Sequence, residues 1–125
     1  MKPLTEKEEE IMRKLWTKDE MIAREVWELF PEPRPHFNTV ATFLRILENK
    51  GWVKHRPVGN THLYMAAVSE EEMGRMSLKN IASKFFNGSM GAMVDAILKD
   101  ENISKEEIEK IATLVRNRNK SKVKK

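Results

Sequence analysis

Four polar side chains recur at helical spacing between residues 38 and 49, and their types are those that bind nucleic acid. On a helical wheel at about 100° per residue, one face collects Asn38, Thr42, Arg45 and Asn49, with Thr39 at its edge. Exposed helix positions usually carry better helix formers, such as Glu, Lys or Ala. Arg can bond a guanine through two hydrogen bonds, Asn can do the same with adenine, and Thr can contact a thymine methyl or a phosphate. The face therefore predicts contacts with DNA, although an ordinary surface helix with neutral polar residues is the simple alternative.

A short basic hairpin is predicted directly after this helix. Two strand-like stretches, residues 52–57 and 61–66, flank a turn at 58–60. The hairpin adds further candidate DNA-binding residues, which are basic or can form hydrogen bonds: Lys54, Arg56, Asn60 and His62. Residues 34–64 hold five Lys or Arg and one acid, which suggests a polyanionic partner unless the patch is simply a solvated surface. A helix in the major groove beside a hairpin on the DNA backbone is the winged helix-turn-helix arrangement.

Two earlier helices are predicted to hold this helix in place. A capping-box pattern at residues 5–8 precedes a helix over about 6–16, and apolar spacing predicts a second helix over about 21–30. A proline-rich segment, residues 31–35, ends the second helix, because proline lacks the backbone N–H and restricts the residue before it. The third helix then covers about 37–50 and buries the stripe opposite its polar face: Val40, Phe43, Leu44 and Leu47.

A second region, residues 69–118, carries three more predicted helices. It is rich in large apolar side chains, and three short helices cannot easily bury them all within one chain. A second copy would cover them in a symmetric interface, while packing on the chain's own first domain is the alternative. The predicted dimer interface is Met73, Met76, Phe85, Phe86, Met90, Met93, Ile97, Ile108, Ile111 and Leu114. Residues 119–125 are predicted to be a basic disordered tail.

Composition narrows the remaining classes of function. The 125 residues include no cysteine, which excludes disulfides, thiol catalysis and cysteine-ligated zinc. No nucleophile–base set and no phosphate-binding glycine loop is present, so the sequence does not predict an enzyme. His55 and His62 can face each other across the hairpin, but two ligands alone are weak grounds for a metal site, so neither a metal nor a cofactor is predicted. Without a signal peptide or a long apolar run, a cytoplasmic location is expected.

Four segments of the chain resemble the penicillinase-repressor family, the BlaI/MecI type of bacterial winged-helix repressor. They are an opening helix that ends in Leu15-Trp16, residues 38–47 with a nearly intact T-V-x-T-x-L-x-R-L spacing, the hairpin entry at 50–53, and residues 68–72. The resemblance extends to about residue 118 and implies a homodimeric repressor on a palindromic operator. It implies DNA contacts from the third helix and the wing, at Asn38, Thr39, Thr42, Arg45 and near Arg56.

Two features depart from the family pattern. The family's repressors of β-lactam resistance are cleaved by a membrane-bound sensor protease at an Asn-Phe pair, and Ala96-Ile97 stands there in this chain, which argues against that partner. The copper-responsive branch carries Cys-x-Cys motifs, which the absence of cysteine excludes. The sequence thus predicts a mainly α fold with a small β-wing: a winged helix-turn-helix domain over residues 1–68, followed by a helical dimerisation region. A winged helix that binds only protein partners is the alternative.

Overall fold

The computed structural model describes the backbone of residues 3–123 and the side chains of residues 3–118. Six helices and two strands occur in this range: α1 (Glu6–Leu15), α2 (Ala23–Glu28), α3 (Phe37–Asn49), β1 (Val53–Val58), β2 (Thr61–Ala66), α4 (Glu70–Phe85), α5 (Met90–Leu98) and α6 (Lys105–Val123). This order confirms the predicted mainly α fold with a β-wing. The chain divides into two compact units, Met1–Leu78 and Lys79–Lys125.

The first helix begins with the predicted capping box. The Glu8 N–H donates to the Thr5 hydroxyl at 3.2 Å, and the Thr5 N–H donates to the Glu8 carboxylate at 2.9 Å. Glu8 is only 2% exposed, and Lys50 Nζ, at the end of α3, meets both of its carboxylate oxygens at 2.8 and 3.0 Å. Burial raises the pKa of the Glu8 carboxyl, but the bonds from Lys50 and Thr5 outweigh burial and hold this pKa below its usual value. One side chain thus caps α1 and anchors the end of α3.

The second helix is shorter than predicted because Met21 joins the sheet instead. The Met21 N–H donates to the Tyr64 carbonyl at 2.9 Å, and the Tyr64 N–H donates to the Met21 carbonyl at 2.7 Å. This bridge adds a one-residue third strand to the hairpin, and α2 begins only at Ala23. Apolar periodicity places Met21 on a buried side in either arrangement, so spacing alone does not distinguish helix from bridge.

A glycine turn joins α3 to the hairpin. Gly51 has a left-handed φ of 89°, and its N–H bonds the carbonyl of Glu48 at 3.0 Å, while the Trp52 N–H bonds that of Leu47 at 3.0 Å. This is a Schellman termination, which favours glycine because a side chain is strained at that φ. Gly51 therefore ends α3 and sets the direction in which β1 leaves the helix.

The hairpin itself closes through a two-residue turn. β1 and β2 pair antiparallel, with Val58 opposite Thr61, so Gly59 and Asn60 form the turn. Gly59 has a φ of 60°, the left-handed conformation that such tight hairpin turns require. The predicted second strand is confirmed, and the first is shifted by one residue relative to the prediction.

The core of the first unit fills the space between its three first helices and the hairpin. Side chains from every one of these elements are buried in it: Ile11, Met12, Leu15, Met21, Val26, Phe30, Val40, Leu44, Leu47, Trp52, Val53 and Tyr64. Trp16 and Trp27 pack against this core and donate their ring N–H groups to the carbonyls of Val68 and Pro35, at 3.0 and 2.7 Å. The tryptophans therefore serve packing.

The first part of α4 groups with the winged unit in the division of the chain after Leu78. The Ser69 hydroxyl accepts the Glu72 N–H at 3.1 Å and starts the helix as predicted. Met73 is buried in the core of the first unit, and Met76 is partly buried against it. The first unit thus extends to Leu78. Their own chain thus covers Met73 and part of Met76, while their place in a dimer interface stays a prediction.

The second unit leaves most of its large apolar side chains in solvent. Among the described side chains from residue 79 onward, the buried apolar ones are Ala82 and Met93. Phe86 and Ile111 are half-buried. The exposed ones are Ile81, Phe85, Met90, Val94, Ile97, Leu98, Ile108, Leu114 and Val115. Met93 is thus covered within its own chain, while its place in a dimer interface stays a prediction.

The last helix enters the segment for which the sequence predicts a disordered tail. α6 continues to Val123, so the backbone of residues 119–123 is helical. Two of these positions are Lys, which forms helix well. The remainder of the predicted tail, residues 124–125, lies outside the described residues.

Candidate nucleic-acid interface

The polar face of α3 is exposed along the whole helix. The opposite stripe fixes the helix to the core through the buried side chains of Val40, Leu44 and Leu47. The five candidate side chains of the polar face are all exposed: Asn38, Thr39, Thr42, Arg45 and Asn49. The helix therefore presents these side chains to a partner without any rearrangement of its packing.

Arg45 and Thr42 touch each other near the middle of this face. Arg45 Nη2 donates to the Thr42 hydroxyl at 3.3 Å, which is long for a hydrogen bond. Most of the five guanidinium donors stay available for a partner. Within residues 3–118, no carboxylate lies within ion-pair distance of Arg45. The charge at the centre of the face is thus uncompensated.

The hairpin distributes its four candidate residues over two faces and the turn. Strand alternation puts Lys54 and Arg56 on one face and His62 on the other, with Asn60 in the turn. All four side chains are exposed. The structure does not bring them to one flat surface, so only a partner that meets the tip of the hairpin comes close to both faces.

The hairpin face that carries His62 lies beside the end of α3. The rings of His55 and His62 stack with their centroids 4.1 Å apart, which confirms that the two histidines face each other. His55 Nδ1 lies 2.5 Å from Glu48 Oε2, so the one acid of the basic segment is directed toward the hairpin. Burial raises the pKa of the neighbouring Tyr64, the Glu48 charge adds to this rise, and the Arg45 charge opposes it. Sequence reasoning did not single out Glu48 as a partner of the wing.

The other hairpin face is tied to the connection between α1 and α2. Arg56 Nη2 donates to Glu20 Oε1 at 3.0 Å, and Arg56 Nε donates to Glu20 Oε2. Their hydrogen bond holds the pKa of Glu20 below its ordinary value and that of Arg56 above it. Arg56 reaches a phosphate only by sharing or leaving this carboxylate, whereas Lys54 makes no ion pair among the described side chains. Sequence reasoning missed Glu20, since 36 residues separate the pair.

A metal site and a membrane-spanning helix are two other features that would bear on function. Within the described part of the chain, no group of three or more His, Cys, Asp or Glu is arranged to hold a metal ion. No helix among the described residues is long and apolar enough to cross a membrane.

Comparison with known proteins identifies the family. A family model described as penicillinase repressor matches residues 4–117. The chain belongs to the penicillinase repressor family. The match covers the winged unit and the helices that follow it, so it includes both the candidate DNA-binding face and the predicted dimerisation region.

Three relatives of this penicillinase repressor family member match over most of their length. The penicillinase repressor of Bacillus licheniformis is 26% identical over 109 residues, which cover 86% of this chain and 85% of that protein. The methicillin resistance regulatory protein MecI of Mammaliicoccus sciuri is 23% identical over 107 residues, covering 85% and 87%. The penicillinase repressor of Staphylococcus aureus is 24% identical over 107 residues, covering 85% of each. The family consists of transcriptional repressors, which confirms the predicted family and the prediction of a non-enzymatic role.

Proposed function

We propose that the chain is a sequence-specific DNA-binding repressor that acts as a homodimer on a palindromic operator. α3 lies in the major groove in this proposal, and its polar face contacts base edges. One observation carries the proposal: this face is fully exposed and free of carboxylates, while the opposite face is fixed in the core. The proposed base-contacting residues are Asn38, Thr39, Thr42, Arg45 and Asn49.

The wing contacts the sugar–phosphate backbone beside the groove and positions the protein. Lys54 supports this role with an exposed ammonium that makes no ion pair within the described residues. Arg56 also contacts the DNA backbone when a phosphate competes with Glu20 for its guanidinium. His62 lies on the opposite face of the hairpin, and Asn60 lies in its turn. We therefore propose that the tip of the hairpin contacts the DNA backbone, where donors of both faces reach phosphates.

The second unit supplies the contact between two copies. Many of its large apolar side chains are exposed, and a large exposed apolar surface often marks a protein–protein contact. A two-fold interface covers the same side chains on both copies. The residues proposed for it are Phe85, Phe86, Met90, Ile97, Ile108, Ile111 and Leu114. A two-fold protein then requires two symmetric half-sites, about 10 base pairs or a multiple of that distance apart.

Selection of bound duplexes from a random pool tests this proposal. The intact protein is expected to enrich a palindrome. Arg45→Ala should then weaken binding to the enriched site by about 1–3 kcal/mol. Arg13→Ala is the matched control, because Arg13 is an exposed arginine of α1 whose ion-pair partner is Glu9. A pool in which no sequence is enriched would refute the proposal and favour a winged helix that binds only protein partners.

A further inference from the structure

A cleft of about 260 Å³ lies between α1, the first half of α3 and the proline segment 31–35. Ile11, Val40 and Phe43 form its helical walls, and Phe30 stands at the start of the proline segment. The cleft lies entirely within the first unit. None of the roles assigned above to α3 or to the wing uses this space.

One side of the cleft offers a ligand no backbone N–H donor. Pro31, Pro33 and Pro35 form one side, and proline has no backbone N–H to donate. The polar side chains at the cleft are those of Lys7, Glu10 and Thr39. Neither Lys7 nor Glu10 forms an ion pair within residues 3–118, so either can take a polar substituent of a ligand. The chemistry favours a mostly apolar ring with one polar group.

The volume limits the ligand to one or two rings. An apolar protein cavity of about 150 Å³ holds one benzene molecule, so a cleft of about 260 Å³ has room for a substituted benzene or a fused pair of rings. Sites for drug-sized ligands are larger, at roughly 300–1,000 Å³. A nucleotide or a folded peptide is therefore too large for this cleft.

We propose that this cleft binds a small, largely apolar ring compound with one polar group, and that its occupancy lowers the DNA affinity of α3. The binding half depends on the cleft alone, whereas the effect on DNA rests on the proposed function. Thr39 connects the two, because it lines the cleft and also lies at the edge of the exposed polar face. A ligand against Thr39 restrains a side chain that the DNA also needs. By linkage, DNA lowers the affinity for the ring compound by the same factor.

Methyl NMR of the intact protein with indole as the probe tests the binding half. We expect saturable shifts of the Ile11 and Val40 methyls and none at Ile108 or Leu114 of the second unit. Absence of saturation, or equal shifts in both units, would overturn the proposal. The proposal would also be overturned if the resonances of the cleft methyls shifted with protein concentration before any indole is added, since a second copy would then occupy the cleft.

Variants of α3 sharpen the same titration. Phe43→Ala should weaken indole binding about tenfold, because one aromatic wall is lost. Phe43→Leu keeps an apolar side chain and should weaken it less, so it replaces the alanine variant if that variant does not fold. Ile46→Ala is the matched control, since Ile46 lies on the same helix but does not line the cleft. Equal indole affinity of Phe43→Leu and Ile46→Ala would contradict the assignment.

Binding to the selected palindrome, with and without saturating indole, tests the effect on DNA. We expect the dissociation constant for DNA to rise at least about fivefold with wild-type protein and by the same factor with Ile46→Ala. An unchanged DNA affinity at saturating indole would overturn the regulatory half. If no palindrome is bound even without indole, the proposed function fails, while the methyl titration still decides whether the cleft binds.

Discussion

The two units of the chain differ in how far they bury their large apolar side chains. In the first unit, large side chains such as Met12 and Leu44 are 0% exposed and belong to one continuous core. In the second unit, Phe85 is 76% exposed, and most large apolar side chains of α5 and α6 are exposed as well. Both units consist mainly of amphipathic helices, so amphipathicity alone does not reveal what covers a helix. The first unit completes its core within one chain, and the second presents a surface that a second copy can cover.

The largest expected difference between the units concerns stability. Leu44→Ala should lower the free energy of unfolding by about 2–5 kcal/mol, because it leaves a cavity in a closed core. Phe85→Ala should change it by no more than about 0.5 kcal/mol in dilute, monomeric protein, because its side chain is already in solvent. Urea unfolding followed by far-ultraviolet circular dichroism, to which the helices of both units contribute, measures both. Similar losses for the two variants would break the contrast between the units.

Dimerisation should show the reverse pattern. Phe85→Asp places a charge on the exposed apolar surface and should raise the dimer dissociation constant about 100-fold, as loss of a central interface residue does. Leu29→Asp is the matched control, since Leu29 is an exposed leucine of the first unit, 47% accessible. Sedimentation at micromolar concentration distinguishes them. A wild-type protein that sediments as a monomer would contradict the proposed interface.

The Glu8–Lys50 pair offers a smaller effect within the first unit. Glu8→Gln should lower the free energy of unfolding by roughly 2–3 kcal/mol at neutral pH. This loss is at or below the lower end of the range for buried ion pairs that lose one partner, because Lys50 keeps some contact with solvent. The pKa of Glu8 is lowered in the folded protein, so its stabilisation is present above the unfolded pKa and is lost as the pH falls through the folded value. The wild-type advantage over Glu8→Gln should therefore shrink below about pH 4.5.

Unfolding of both proteins between pH 7 and pH 3 measures this dependence. Glu9→Gln serves as the control, because Glu9 is partly exposed and its pair with Arg13 is a surface contact at 3.8 Å. An advantage of wild type that stays constant down to pH 3 would show that the Glu8 carboxylate does not provide the stabilisation.

The smallest effects are expected in the wing. Lys54→Ala should weaken binding to all DNA sequences and reduce the dependence of log K on log salt by about one unit. Glu20→Gln should act in the opposite direction and modestly strengthen DNA binding, since it releases Arg56 from a competing carboxylate. Binding isotherms at several salt concentrations measure both. A Glu20→Gln protein that binds DNA more weakly would mean that Glu20 instead positions Arg56 for contact.

Local chemistry made much of the fold predictable. The capping box of Thr5 and Glu8, the proline stop after α2 and the glycine at the end of α3 each act within a few residues. The polar face of α3 was predictable for the same reason, because helical spacing alone decides which residues share a face.

Contacts between distant residues were not predictable from spacing. Met21 pairs with Tyr64, and Arg56 with Glu20, across separations that no local pattern reports. Met73 has the spacing of a buried residue, but spacing does not say whether its own core or a second copy covers it. The division of the structure after Leu78 falls within α4, which continues as one helix, so no local pattern marks it.

A double-mutant cycle between Arg45 and the bases of the selected palindrome tests the central claim most directly. Wild-type and Arg45→Ala proteins are titrated against duplexes that carry each single base-pair change in one half-site. If Arg45 contacts a base, one base-pair change should cost wild type about 1–3 kcal/mol and cost Arg45→Ala much less, while changes elsewhere affect both proteins equally. If every change costs the two proteins the same, Arg45 does not contact a base, and the assignment of α3 as the recognition helix is wrong.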